Sequence, residues 1–269
     1  MGAAGNQDHQ AANALHSYWA VQPQRYAETE PEATMHRPLS PLELMEAQAA
    51  TLYTYKDVGR IVHDNEPWPT QGRAPRLFVG WTSQGAICRL RDDIDDGLAT
   101  DAAGLISRVP VGEDITSGRH LARLEAMLTT SYGSQTVGCG PAYRFPDHLG
   151  ACSAVTPIPP GSRLLAGGPP GWQEDVAYAQ PCFGVVIDGV AVSVCGTVRR
   201  SAVAAEVGVH TLQQYRGCGY ARSVLLAWAH QVRAAGIIPL YSTEWGNAPS
   251  RRVAESLGLI QYGVDLSFS

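Results

Sequence analysis

Apolar positions along this chain repeat with two different periods, and the changes of period mark the elements. Leu42, Met45, Ala49 and Leu52 recur at helical spacing behind Ser40, a good N-cap, and Pro41. Arg76 to Trp81 and Ala86 to Leu90 alternate around Ser83-Gln84-Gly85 and predict a hairpin. From Gly118 to Leu128 the period returns to helical, with Leu121, Leu124 and Leu128 on one face. Cys182 to Ile187 and Val190 to Val198 flank Asp188-Gly189, a strong type I′ hairpin signal. Ala204 to Leu212 predicts a third strand, Arg222 to Ala235 a helix, and Ile237 to Thr243 a further strand. Pro249 to Ser256 predicts a helix closed by Gly258, and Leu259 to Phe268 the last strand.

Between these patterns lie two stretches of another kind. Residues 1–34 are rich in Ala, Gln and Glu with little periodicity, and read as a flexible or loosely docked arm. Residues 133–171 are crowded with Gly and Pro and read as a linker, a loop over a cleft, or both. The chain therefore divides into an arm at 1–34, a mixed α/β domain at 35–135 and a second α/β domain at 136–269. The hairpins at 76–90 and 182–198 echo each other weakly, which leaves open a degenerate repeat of one fold.

Composition narrows the function. A chain of 269 residues with 45% hydrophobic content has enough sequence for a large core. Its net charge of −5 argues against a nonspecific nucleic-acid binder. No apolar run reaches membrane-spanning length, and Met1 to Asn13 lacks the features of a secretory signal. Six cysteines lie scattered without C-x-x-C spacing or a histidine cluster, so a metal site is not expected and a reducing cytoplasm is.

The chemistry concentrates at Gln214-Tyr215-Arg216-Gly217-Cys218-Gly219-Tyr220-Ala221. This run sits between a predicted strand and a predicted helix. Such a turn presents bare backbone N–H groups at a helix start, and Gly217 and Gly219 remove side chains where an anion would approach. The order Gln-x-x-Gly-x-Gly, followed by Asn247, Ser250 and Gly258, resembles the Gcn5-related N-acetyltransferase (GNAT) family. The resemblance covers about a third of the chain convincingly, from 182 to 268. It implies a GNAT fold with a mixed, mostly antiparallel sheet, behind a smaller α/β domain.

That resemblance also implies acetyl-CoA as co-substrate. Its pyrophosphate would lie on Gln214, Arg216, Gly217, Cys218, Gly219, Tyr220 and Ala221. Its pantetheine arm would pair with the splayed strand segment carrying Val209, Thr211 and Leu212. Asn247 would reach the cofactor while capping the last helix, and Ser250 would either touch the arm or only start that helix.

Acetyl transfer to an amine requires the amine unprotonated, which for a group of pKa about 10.4 costs about 4–5 kcal/mol at neutral pH. A positioned carboxylate removes that proton. Glu206 is the leading candidate; the alternative is a salt bridge to Arg199 or Arg200. Side-chain alternation sets Glu206, Gly208 and His210 on one face, and His210 is the rival base or a satisfied core histidine. Many family members place a tyrosine acid four residues before the helix-ending glycine; that position here is Ala254. Ser250, Tyr241, Tyr262 or water would then serve the thiolate.

The expectation is thus an N-acetyltransferase acting on a small amine or amino-acid-like metabolite, monomeric or homodimeric, without nucleic acid or membrane. The alternatives are a non-catalytic CoA-binding or assembly protein and an acyl-CoA enzyme of other chemistry, such as a decarboxylase. Trp172, Trp245 and Tyr143 are candidates for the acceptor-pocket wall. The acidic runs Asp92-Asp93-Ile94-Asp95-Asp96 and Glu174-Asp175 either attract an amine or are solvated surface.

Overall fold

The computed structural model describes residues 38–57, 59–68, 71–110, 119–152 and 155–269, and the expected arm at 1–34 lies outside them. Ser40 starts the first helix, α1 (Pro41–Leu52), through a complete capping box: Ser40 Oγ accepts from Glu43 N at 3.3 Å and Glu43 Oε2 from Ser40 N at 2.8 Å. Two short strands follow, β1 (Tyr53–Asp57) and β2 (Arg60–Asp64). The expected hairpin is β3 (Leu77–Thr82) and β4 (Gly85–Arg91). Two helices cross behind it, α2 (Asp96–Ser107) and α3 (Arg119–Tyr132). The acidic run before α2 is structural rather than a substrate lure. Asp95 caps the helix, Asp96 pairs with Arg60, and Asp93 pairs with Arg73 and Arg91.

The Gly/Pro-crowded stretch is not all linker or loop. It contains β5 (Val137–Arg144), a central strand. Gly140 explains the composition: a Cβ there would collide with the carbonyl of Thr243, whose segment packs directly across it. Beyond β5 come β6 (Thr156–Pro157), a single turn α4 (Trp172–Asp175), and the hairpin β7 (Cys182–Ile187) with β8 (Val190–Arg200). Asp188 and Gly189 both have positive φ, 49° and 78°, as a type I′ turn requires. Then follow β9 (Ala204–Thr211), α5 (Tyr220–Ala234), β10 (Ile238–Ser242), α6 (Ala248–Leu257) and β11 (Ile260–Phe268).

All eleven strands form one mixed sheet in the order β1-β2-β4-β3-β11-β5-β10-β9-β8-β7-β6. Among the described residues only β9–β10 and β2–β4 pair in parallel, so the sheet is mostly antiparallel, as expected. The two halves of the chain are interlocked within it. β5 lies between β10 and β11, and the C-terminal β11 lies between β5 and β3.

Side-chain alternation divides the core between two faces. On one face α1 covers Phe78, Ala204, Leu240 and Tyr262. On the other, α5 and α6 cover Ala205, Val207 and Tyr241, while α2 and α3 cover Leu77, Val79, Leu266 and Phe268. Trp228 of α5 is fully buried, and its indole N–H donates to Thr197 Oγ1 at 3.0 Å.

Because β11 completes the sheet of the N-terminal half, the two halves should unfold together. Truncating the fully buried Phe268 to Ala is expected to cost ~3–5 kcal/mol. One shared transition should move to lower temperature by circular dichroism and by tryptophan fluorescence. Two separate transitions, with only one affected, would contradict the interlock.

Candidate functional site

The parallel ladder between β9 and β10 has three rungs: Ile238 with Ala204, Pro239 with Ala205, and Leu240 with Glu206. There it stops. β9 runs on to Thr211 paired only with β8, and β10 runs on to Ser242 paired only with β5. From Val207 onward the two strands form a fork, and the side of β9 facing β10 carries backbone groups without a strand partner. A free strand edge of this kind accepts an extended amide-bearing chain.

Where β9 ends, the chain makes the expected turn into α5. Gly217 and Gly219 both have φ of +80°, and a Cβ on either would meet nothing within 4 Å. The loop is thus an open concavity at the N-terminus of a fifteen-residue helix. Unbonded N–H groups of the first turn and the helix dipole favour an anion there. Arg216 and Cys218 are exposed, and Tyr220 and Ala221 partly so. Arg216 Nε donates to Thr211 O at 3.2 Å, and Arg222 Nε donates to Ser256 O at 3.2 Å. Fork and concavity together suit a ligand with phosphates at one end and amides along its length, which is the chemistry of a CoA thioester.

The predicted residues fall around this fork. Val209, Thr211 and Leu212 follow the last rung, and Gln214 lies in a short 3₁₀ turn before the loop. Asn247 caps α6, its Oδ1 accepting from Ser250 N at 3.2 Å. The Ser250 hydroxyl lies 2.5 Å from the Tyr241 hydroxyl. Burial raises the pKa of Tyr241, so this phenol keeps its proton near neutrality. Ala254, where a tyrosine was sought, is buried in the core. Tyr262 is also buried and donates to Gln48 Oε1 at 2.7 Å, beneath α1.

Glu206 occupies the last rung, at the apex of the fork, and points to the α1 face. It is 4% exposed, and its Oε1 has no hydrogen-bond partner. The alternative salt bridge to Arg199 is not formed: Arg199, opposite it on β8, pairs with Glu66 at 2.9 Å instead. Desolvation raises the carboxyl pKa of Glu206, offset in part by the nearby Arg199 charge and by Ser242 and Gln48. His210 lies four residues beyond the last rung and is half-buried; burial and the Arg216 charge lower its pKa.

Three polar residues around Glu206 were not singled out from the sequence: Gln48, Ser242 and Asp265. Gln48 Nε2 donates to Asp265 Oδ2 at 2.7 Å, so one amide joins Tyr262 to Asp265 beside Glu206. A shift in register between Gln261 and Gly263 turns both Tyr262 and Asp265 toward α1. Gln48 was visible as a polar residue on the apolar stripe of α1. Asp265 was hidden, because its orientation depends on that bulge.

A cavity of about 350 Å³ opens on the same face, between the end of α1, β2 and the arm of β10 beyond the fork. Ser242 and Asp265 are in its wall. Trp172, Trp245 and Tyr143 are not. Trp172 packs over Gly196 and Gly208, Tyr143 stands beside Tyr241, and Trp245 lies under Arg251.

Residues 171–263 match the family model described as GNAT acetyltransferase. No curated protein matches. Among solved structures, a GCN5-related N-acetyltransferase from Kribbella flavida aligns at 17% identity over 84% of this chain and 93% of its own, TM-score 0.46. A GCN5-related N-acetyltransferase-like protein from Streptococcus suis 89/1591 aligns at 13% identity over 97% and 99%, TM-score 0.45. A GNAT-family acetyltransferase from Novosphingobium aromaticivorans aligns at 22% identity, TM-score 0.42, over 49% of this chain and 64% of its own length. With every one of these scores below 0.5, the likeness to the family rests on the match at 171–263, about a third of the chain.

The buried carboxylates give a measurable linkage. Burial, reinforced by the Glu206 charge, pushes Asp265 up to about 7. In the unfolded chain it titrates near ~3.9, so between these values the folded state holds the extra proton. Stability contributed by that proton is present at low pH and lost as pH rises toward 7. The wild type should therefore lose melting temperature relative to Asp265→Asn between pH 4 and 7. Parallel curves would contradict the burial of an ionising Asp265.

Proposed function

We propose that this chain, in which residues 171–263 form a GNAT acetyltransferase domain, transfers an acetyl group from acetyl-CoA to the amine of a small molecule. The observation that supports this best is the fork that ends at Glu206 and leaves Oε1 of that buried carboxylate unpartnered. The fork is a passage through the sheet. The anion-binding loop at α5 is at one end of it, and Glu206 with the cavity is on the α1 face.

Acetyl-CoA supplies an acetyl thioester, an acyl group on a good leaving group. The chain's own residues supply the rest. Backbone N–H groups of Gly217 to Ala221 hold phosphates, with Arg216 and Arg222 adjacent for charge-assisted contacts. The free edge of Val207 to Thr211 holds the pantetheine amides and orients the carbonyl at the apex. Glu206 takes the proton from the acceptor ammonium, directly or through one water, as the new C–N bond forms and the C–S bond breaks. Its raised pKa makes it a stronger base than an exposed carboxylate. Tyr241, held by Ser250, returns a proton to the leaving sulfur in place of the missing tyrosine at Ala254.

The N-terminal half, set apart as a domain at 35–135, acts as part of the acceptor site. It contributes α1, with Gln48, and β2 to the face that Glu206 serves. His210 lies outside the apex and is assigned no proton transfer.

Calorimetric titration of acetyl-CoA should show tight binding to the wild type and none to Gly217→Glu, which fills the concavity and adds negative charge. An unaffected variant would remove the loop from the site. Glu206→Gln should keep acetyl-CoA affinity while slowing amine acetylation by ~10²–10⁴. The wild-type rate should fall as pH drops below the raised Glu206 pKa, and the variant should lack that limb. Equal rates would take the base role from Glu206, and turnover by neither protein would favour a binding protein without catalysis.

A further inference from the structure

The cavity beside Glu206 carries more information than its position. Its wall is charged, and the charges do not balance. Arg199 and Arg73 both line it, and each is engaged by a carboxylate outside the lining: Arg199 by Glu66 at 2.9 Å, and Arg73 by Asp93 at 3.0 Å, which it shares with Arg91. Three carboxylates also line it: Asp64 from β2, Glu244 from the loop after β10, and Asp265 from β11. Among the described residues none of these three forms an ion pair. Directly behind the wall residue Ser242 sits Glu206, itself buried with Oε1 unpartnered. The cavity is thus a partly enclosed space with three wall carboxyl groups outside any ion pair among the described residues and a fourth, Glu206, behind them.

Such a space selects against anions. A carboxylate on the acceptor would find both arginines already engaged by other carboxylates and three wall carboxyl groups close by. A cationic group would find partners on several sides. Leu52, Tyr53 and Phe78 give the cavity one apolar side, which suits a short hydrocarbon between polar ends. A volume of about 350 Å³ is at the small end of ligand pockets, enough for a chain of a few carbons with its amines.

We infer that this cavity is the acceptor site and that it takes a short alkyl diamine, or an amine of like charge, with no carboxylate attached. The inference rests on the acetyltransferase reading for the fate of the amine, but not for its binding. One ammonium group lies against Asp64 and Glu244, at the mouth. The other reaches past Ser242 and Asp265 toward Glu206, where it is deprotonated and acetylated. Asp64 comes from the N-terminal half and the other acids from the C-terminal half, so the interlocked sheet makes the site composite.

The test compares 1,4-diaminobutane with ornithine, which has the same amines plus an α-carboxylate. Calorimetry on the full chain with CoA present should show the diamine binding tighter by roughly tenfold or more. Asp64→Asn and Glu244→Gln, each checked for an unchanged melting temperature, should each weaken diamine binding by about tenfold. With acetyl-CoA, thiol release should favour the diamine in kcat/KM by a similar ratio, and the variants should raise KM more than they lower kcat. Diamine binding without thiol release would uphold the cavity and overturn the transferase reading. Thiol release with ornithine at equal or better kcat/KM would overturn the cavity assignment and leave the transferase reading standing. Absence of diamine binding, or binding indifferent to both variants, would also overturn it.

Discussion

Three rungs of parallel ladder hold β9 to β10, and the candidate site depends on the ladder stopping there. Had the pairing continued, the backbone groups of Val207 to Thr211 would be spent within the sheet. The strands stay apart because each is committed elsewhere. β8 holds β9 along nearly its whole length, and β5 holds β10 on the far side. The arm of β10 then turns at Thr243 and Glu244 across Gly140, where no side chain intervenes. Removing the Cβ at one position of β5 therefore helps to fix the angle of a fork two strands long.

The same geometry explains why a carboxylate is tolerated in the core. Glu206 lies at the last rung, where the sheet opens, and the penalty for burying it appears as a raised pKa rather than as a salt bridge. Gln48 is central to this arrangement. Its amide accepts from Tyr262 and donates to Asp265, which leaves Asp265 oriented and close to Glu206. Two neighbouring buried acids each make the other harder to ionise. The polar cluster draws on α1 from the N-terminal half and β9 and β11 from the C-terminal half, so the exchange of strands between halves is also what assembles the chemistry.

Much of this was legible from residue patterns. Ser40 with Pro41, Asp188-Gly189, Asn247 with Pro249, and Gly258 each fixed an element end by local chemistry, and all four ends stand where that chemistry puts them. The glycine turn at 217–219 was legible for the same reason, since its conformation is a property of the residues themselves. β5 was not, because Gly140 serves a contact with Thr243 more than a hundred residues away, and in isolation the glycines of β5 read as loop. β1, β2 and α2 were missed as well. The two strands are short and half exposed, and Gly97 and Gly104 interrupt the helical pattern of α2. Asp265 was hidden by a bulge that only the pairing of β11 with β5 defines. Local signals carried the loop that would bind phosphates. The acids around the cavity come from distant segments, and only the folded chain brings them together.

The claim at the centre of this account is that the open edge of β9 receives the pantetheine arm. Amide hydrogen exchange with and without saturating acetyl-CoA measures this directly. The account requires slowed exchange at the β9 amides from Val207 to Thr211, together with the loop from Gly217 to Ala221. Binding accompanied by slowed exchange elsewhere, with β9 unchanged, would contradict it.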